Sequence, residues 1–152
     1  MEAKAVQPTA RDLYDLDFFE WTVHNAELLR AGRFAEADVE RIAEELEDMG
    51  KREQRELASR LRVLLTHLLK WRAQPGRRSR SWKATILIQR SEIARVLTQM
   101  PSLRRSLREE LSEIYNLAFE TAIGQTGSSE AAFPKSCPFT LDQILDTTFF
   151  PD

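Results

Sequence analysis

The chain has 152 residues, 42% of them hydrophobic and 30% charged, with 5 Gly and 6 Pro. That is the length of one domain with its own core and a helix-leaning globular composition, which excludes a disordered or fibrous chain. The formal net charge is -2, so no whole-protein field points to nucleic acid or an acidic substrate, and any such case rests on local patches.

The opening "MEAKAVQPTARD" lacks the long apolar segment of a signal peptide, and residues 1–12 read as a loose arm ahead of a single domain over 13–152. Asp17, with Glu20 three residues on, reads as a capping box for a helix from Phe18 to Arg30 that Gly32 ends. A second helix is expected over Ala35–Met49, with Glu36 and Asp38 in its first turn and a stripe of Val39, Ile42, Ala43, Leu46 and Met49. The polar run "GKREQRE" at 50–56 follows. Gly50 costs roughly 1 kcal/mol inside a helix, but nothing in "KREQRELASR" resembles a turn, so the reading favours a continuous or kinked helix. Leu57, Leu61, Leu64, Leu65 and Leu68, widened by Val63, Leu69 and Trp71, make a helix apolar over much of its circumference, as the centre of a bundle requires. It is too short an apolar run to span a bilayer.

Pro75-Gly76 ends that helix. Ser79 or Ser81 caps the next, Trp82–Gln99, which Pro101 terminates. Ser102 caps a further helix with Leu103, Leu107, Leu111, Ile114 and Ala118 in register, ending near Gly124 to Gly127. A short helix capped by Thr140 covers "TLDQIL", and "FFPD" packs back on the bundle. No strand signal, internal repeat or linker competes. The expected fold is all-α, an antiparallel up-down bundle of four or five helices with an irregular C-terminal tail.

Six segments together resemble a known family: "YDLDFFEW" (14–21), "LLRAGRF" (28–34), "EELEDMG" (44–50), "HLLKW" (67–71), "RRSRSW" (77–82) and "FPKSCPFTLDQIL" (133–145). In that order, from about residue 14 to the end, they are similar to a bacterial family catalogued as domain of unknown function 29. The resemblance implies an all-helical fold. It implies no activity and transfers no catalytic residue. Around "TGSSEAAF" the chain departs from the bulkier residue or proline expected there, which implies a looser start to the tail.

Three constellations carry chemistry. Acids crowd 36–48, and Glu45 and Glu47 flank the apolar stripe of their helix, where carboxylates bind metals, do acid-base work, or pair with arginines as a solvated face. His67 lies in the apolar helix beside Val63, Leu64 and Trp71. A divalent metal there would take His67, with Glu45 or Glu47 from the preceding helix, and His24 nearby. Against this, neither histidine follows a Glu by three, and His-Glu-x-x-His is absent. A core histidine bonded to a carbonyl or carboxylate is the plainer role. The third is the loop holding Lys70, Arg72, Arg77, Arg78, Arg80 and Lys83 with no acid, bracketed by Trp71 and Trp82 and ending at a helix N-terminus. It suits a phosphate, a nucleic-acid backbone or an acidic segment, unless its arginines pair with the acids of 36–48.

Cys137 is the sole cysteine, which excludes an intrachain disulfide and fits a reducing compartment, hence the cytoplasm. It stands between prolines, far in sequence from both histidines, without a protease signature. The leading expectation is a non-catalytic interaction module using the basic corner of 70–83, with no cofactor and no membrane. Its candidate partners are a second copy of the chain, an acidic protein or nucleic acid. The alternative is a metal-dependent enzyme with a Glu/His site between helices. The Phe pairs at 18–19 and 149–150 read as core, with a homodimer surface as their other use.

Overall fold

The computed structural model describes residues 8–152. Among them are six α-helices and no strand: α1 (Ala10–Leu16), α2 (Phe18–Arg30), α3 (Val39–Ala73), α4 (Arg80–Gln99), α5 (Leu103–Thr126) and α6 (Leu141–Leu145). Two 3-10 turns, Pro75–Arg77 and Glu130–Ala132, complete the set. The all-α class is as the patterning requires. Of the arm expected over 1–12, residues 1–7 lie outside the described residues, and Ala10–Asp12 open α1. Thr9 starts that helix with a reciprocal pair: its hydroxyl accepts the Asp12 N–H, and the Asp12 carboxylate accepts the Thr9 N–H at 2.9 Å.

By its internal contacts the chain gathers into two compact units, Met1–Gly50 and Lys51–Asp152. Their charges are opposite. Residues 1–50 carry 13 acidic and 5 basic side chains, a formal balance of -8, and residues 51–152 carry 11 and 17, a balance of +6. The whole-chain value of -2 hides both.

In the first unit Asp17 caps α2, its carboxylate accepting the Glu20 N–H at 3.0 Å. At the other end Gly32 takes φ 73, and the N–H groups of Gly32 and Arg33 donate to the carbonyls of Leu29 and Leu28 at 3.1 and 2.9 Å. This paired closure needs a left-handed residue, which glycine supplies without strain. The α3 helix then begins at Val39 rather than Ala35, because Asp38 is held in place just before it. Asp38 is buried, its N–H donates to Asn25 Oδ1 at 2.8 Å, and its carboxylate accepts Trp21 Nε1–H at 3.2 Å. Residues 34–38 are therefore a turn, and neither Glu36 nor Asp38 lies in the first helical turn.

The apolar core of this unit is thin. Among its described residues Ala10, Trp21 and Leu28 are the buried hydrophobic ones, while nine large apolar side chains are exposed, Phe19, Leu46 and Met49 among them. The second unit exposes three, Leu87, Ile88 and Leu117.

The second unit is built on the later part of α3, whose Leu57, Leu61, Leu64, Leu65, Leu68 and Leu69 are all buried. Facing them are Ile86, Ile93 and Val96 of α4 and Leu107, Ile114, Tyr115, Ala118 and Ala122 of α5. Pairings along the helices give their directions. Lys70 of α3 meets Trp82 of α4 and Arg60 meets Gln89, so these two run antiparallel. Gln54 meets Ser106 of α5 and Lys70 meets Gln125, so α3 and α5 run parallel. The result is an up-down-up arrangement of three long helices.

Ser79 caps α4, accepting the Trp82 N–H at 3.1 Å. Ser102, expected to cap α5, has helical backbone angles and makes no side-chain cap bond. Gly127, at φ 65, closes α5.

The α3 helix runs through Gly50 without interruption. A Cβ at Gly50 meets nothing within 4 Å, so Gly50→Ala relieves only the backbone entropy that glycine loses in a helix. Stabilisation of about 0.5–1 kcal/mol is expected in urea unfolding. A loss of stability would contradict the continuous helix.

The tail is irregular but fastened. Arg90, on the core face of α4 and 1% exposed, donates from Nε to the Ile144 carbonyl and from Nη2 to the Phe149 carbonyl, both at 2.7 Å. Its guanidinium also lies 5.3 Å from the centre of the Phe150 ring. The Tyr115 hydroxyl donates to the Pro134 carbonyl, and burial pushes its pKa up to about 12. Phe149 and Phe150 pack, half-buried, against the core of the unit, whereas Phe18 and Phe19 of the other pair are exposed.

Candidate functional site

The basic corner forms where α3 ends, the 3-10 turn follows, and Ser79 starts α4. Its charged side chains divide into two groups. Lys70 and Arg78 are committed to the fold. Lys70 is buried, donates from Nζ to Gln125 Oε1 at 2.9 Å, and sits 4.7 Å from the centre of the Trp82 ring. Burial pushes its pKa below the usual lysine value. Arg78 donates from Nε to the Trp71 carbonyl at 2.9 Å, satisfying one of the carbonyls that the end of α3 leaves without an intrahelical partner. Its Nη2 reaches the Pro151 carbonyl at 3.3 Å, and its guanidinium lies 5.2 Å from the Trp71 ring centre.

Arg72, Arg77, Arg80 and Lys83 make up the second group. All four are exposed, and among the described residues no carboxylate stands within 4.0 Å of any of them. Lys83 lies 5.7 Å from the Phe150 ring centre. Trp71 and Trp82 are half-buried. Trp71 packs on Phe150 with ring centres 5.1 Å apart, and Trp82 carries Lys70. The two rings therefore brace the corner from within.

The residues of the metal alternative are placed differently. His67 is half-buried on α3, its Nδ1 2.8 Å from the Val63 carbonyl of the preceding turn, and burial lowers its pKa. That is the geometry of an imidazole N–H donating to its own helix. Glu45 and Glu47 stand on this same helix, 22 and 20 residues earlier, so no preceding helix presents them to His67. Glu45 instead accepts the Tyr14 hydroxyl at 2.6 Å, which raises the Tyr14 pKa, and Arg41 covers the Tyr14 ring at 4.1 Å. His24 is half-buried on α2. Among the described residues no group of three or more His, Cys, Asp or Glu side chains is gathered as a metal would need. The Cys137 thiol is half-buried, donates to the Phe139 carbonyl at 3.3 Å and is pushed up by burial, the opposite of an activated nucleophile.

Sequence reasoning missed a second basic surface. Arg52, Arg55 and Arg62 are exposed on α3 at spacings of three and seven residues, and none has an ion pair among the described residues. They line two open clefts, one of about 520 Å³ beside Gln89 and one of about 400 Å³ beside Ile114 and Leu117. The signal was legible as a helical repeat of arginines inside "KREQRELASRLR", but the run reads first as a solvated spacer. Arg90 was also missed. Its position four after Ile86 and three before Ile93, on the apolar stripe, marked it as a buried cation.

A family model described as "Domain of unknown function DUF29" matches residues 13–150. The chain belongs to the DUF29 family. The match takes in the corner, both histidines and the whole of α1 to α6 apart from the first three residues of α1. No curated protein and no solved structure matches the chain. Among the described residues of this DUF29 chain, no helix is long and apolar enough to cross a membrane.

Proposed function

We propose that the protein is a non-catalytic interaction module whose corner at 70–83 takes an acidic protein segment. One observation carries the reading: Arg72, Arg77, Arg80 and Lys83 are exposed at a braced helix start with no carboxylate within 4.0 Å among the described residues. Four like charges held together repel one another, and an acidic ligand relieves this while forming charge-assisted hydrogen bonds. The +6 balance of residues 51–152 steers such a ligand inward. An acidic protein is favoured over single-stranded nucleic acid because both tryptophans are already engaged within the fold, Trp71 by Phe150 and Trp82 by Lys70, which leaves less ring surface for bases to stack on. A cytoplasmic setting goes with this reading, since the one thiol is unpaired.

The test is a fluorescence anisotropy titration with a labelled poly-glutamate peptide, and in parallel with labelled single-stranded and duplex DNA, at low and high salt. The peptide is expected to bind, more weakly as salt rises. Arg77→Ala with Arg80→Ala is expected to weaken it about five- to ten-fold. Absence of binding by every polyanion at low salt would sink the reading. DNA binding with the same arginine dependence, and no peptide binding, would transfer the corner to nucleic acid.

A further inference from the structure

We infer that the acidic segment taken by the corner is residues 39–49 of a second copy of this chain, and that the protein self-associates through it. This rests on the corner being an acid-binding surface. Among its described residues the first unit buries three hydrophobic side chains and exposes nine large ones. On the opening turns of α3 the exposed Val39, Ala43, Leu46 and Met49 fall on one face at helical spacing. Glu40, Glu44 and Glu47 each follow one of these apolar residues, so a row of acids runs beside the apolar row.

The complementary surface begins at the corner itself. Arg80, Lys83, Ala84, Leu87 and Ile88 occupy positions i, i+3, i+4, i+7 and i+8 of α4, and all are exposed, Ile88 at 58%. Basic at one end and apolar along the rest, this face matches an acid-bordered apolar helix: Leu46 and Met49 cover Leu87 and Ile88, while Glu40 and Glu44 meet Arg80 and Lys83. Charge selects the occupant. Two first units facing each other set -8 against -8, whereas residues 51–152 of a second copy bring +6. The contact joins two different patches, so it closes as a reciprocal pair or grows head to tail.

Sedimentation velocity over a wide concentration range, at low and high salt, tests this on the full chain. Wild type is expected to associate with rising concentration, less at high salt. Leu46→Asp with Met49→Asp, and separately Ile88→Asp, are each expected to raise the dissociation constant at least about ten-fold, with thermal melts unchanged because these side chains are exposed. Glu44→Lys and Arg80→Glu proteins, each impaired alone, are expected to associate when mixed. A wild type monomeric at every concentration would overturn the inference, as would association indifferent to both sets of apolar substitutions. A monomer that still binds the poly-glutamate peptide in an Arg77- and Arg80-dependent manner would overturn only the second-copy assignment and leave the corner to an acidic segment of another protein.

Discussion

Replacing Arg90 by Met is expected to cost about 3 kcal/mol of stability. The substitution keeps most of the stem volume and removes the guanidinium. It leaves the Ile144 and Phe149 carbonyls without the donors they now have at 2.7 Å, and hydrogen bonds from a charged donor are worth roughly 1.5–3 kcal/mol each. The cation–π contact with Phe150, whose ring centre lies 5.3 Å from the guanidinium carbon, goes with them. Part of the loss is offset, because Arg90 Nη1 is buried with no partner and its desolvation is no longer incurred. For a chain of this length the melting temperature should fall by roughly 6–12 °C. The tail from Asp146 onward should become the first site of limited proteolysis. Arg90→Lys should rescue little, since an ammonium cannot reproduce two fork-spaced donors. A melting temperature within about 2 °C of wild type would show that the tail is held by its aromatic packing alone.

The second large effect belongs to the other unit. Trp21 is 3% exposed, packs against Tyr14 and Phe18 with ring centres 5.1 and 5.5 Å apart, and donates to the Asp38 carboxylate. Trp21→Ala removes the largest of the three buried hydrophobic side chains among the described residues of this unit and leaves Asp38 short of a donor in a buried site. Loss of a buried Trp costs about 3–5 kcal/mol, which a unit with so small a core cannot absorb. The expected result is local rather than global. Hydrogen exchange should show amides of residues 10–38 losing protection while those of residues 57–69 and 86–96 keep it. If protection fell equally in both sets, the division at Gly50 would not be an energetic one.

Most of the helical architecture was legible because its signals are local. The α2 bounds, Phe18 to Arg30, follow from Asp17 as cap and Gly32 as the left-handed closure, and both need only the residues beside them. The leucine face of α3, the Ser79 cap and the Thr140–Gln143 capping box of α6 were readable for the same reason. Misses came where a distant residue decides the outcome. The start of α3 depends on Asn25 and Trp21 holding Asp38, 13 and 17 residues away. Ser102 looks like a cap, yet its own backbone is already helical.

For the corner, composition identified a basic loop between two tryptophans, and that much is a property of residues 70–83 alone. Which charges are free is a tertiary matter. Gln125 takes up Lys70, and the Trp71 and Pro151 carbonyls take up Arg78, because the end of α5 and the tail arrive there. What is left exposed and not committed to a backbone carbonyl of the fold is Arg72, Arg77, Arg80 and Lys83. The metal alternative took Glu45 or Glu47 from a helix preceding that of His67, whereas α3 carries all three. A single glycine could have broken the rod or been carried through it, and the local cost of roughly 1 kcal/mol is small enough for the flanking helix formers to override. By itself the sequence determined the helical class, most helix ends and the charge of the corner, since each rests on periodicity, capping or composition. Only the tertiary structure decided that α3 is continuous, that Arg90 is a buried fastener, and that the apolar residues of the first unit lie on its surface, because these follow from which elements meet.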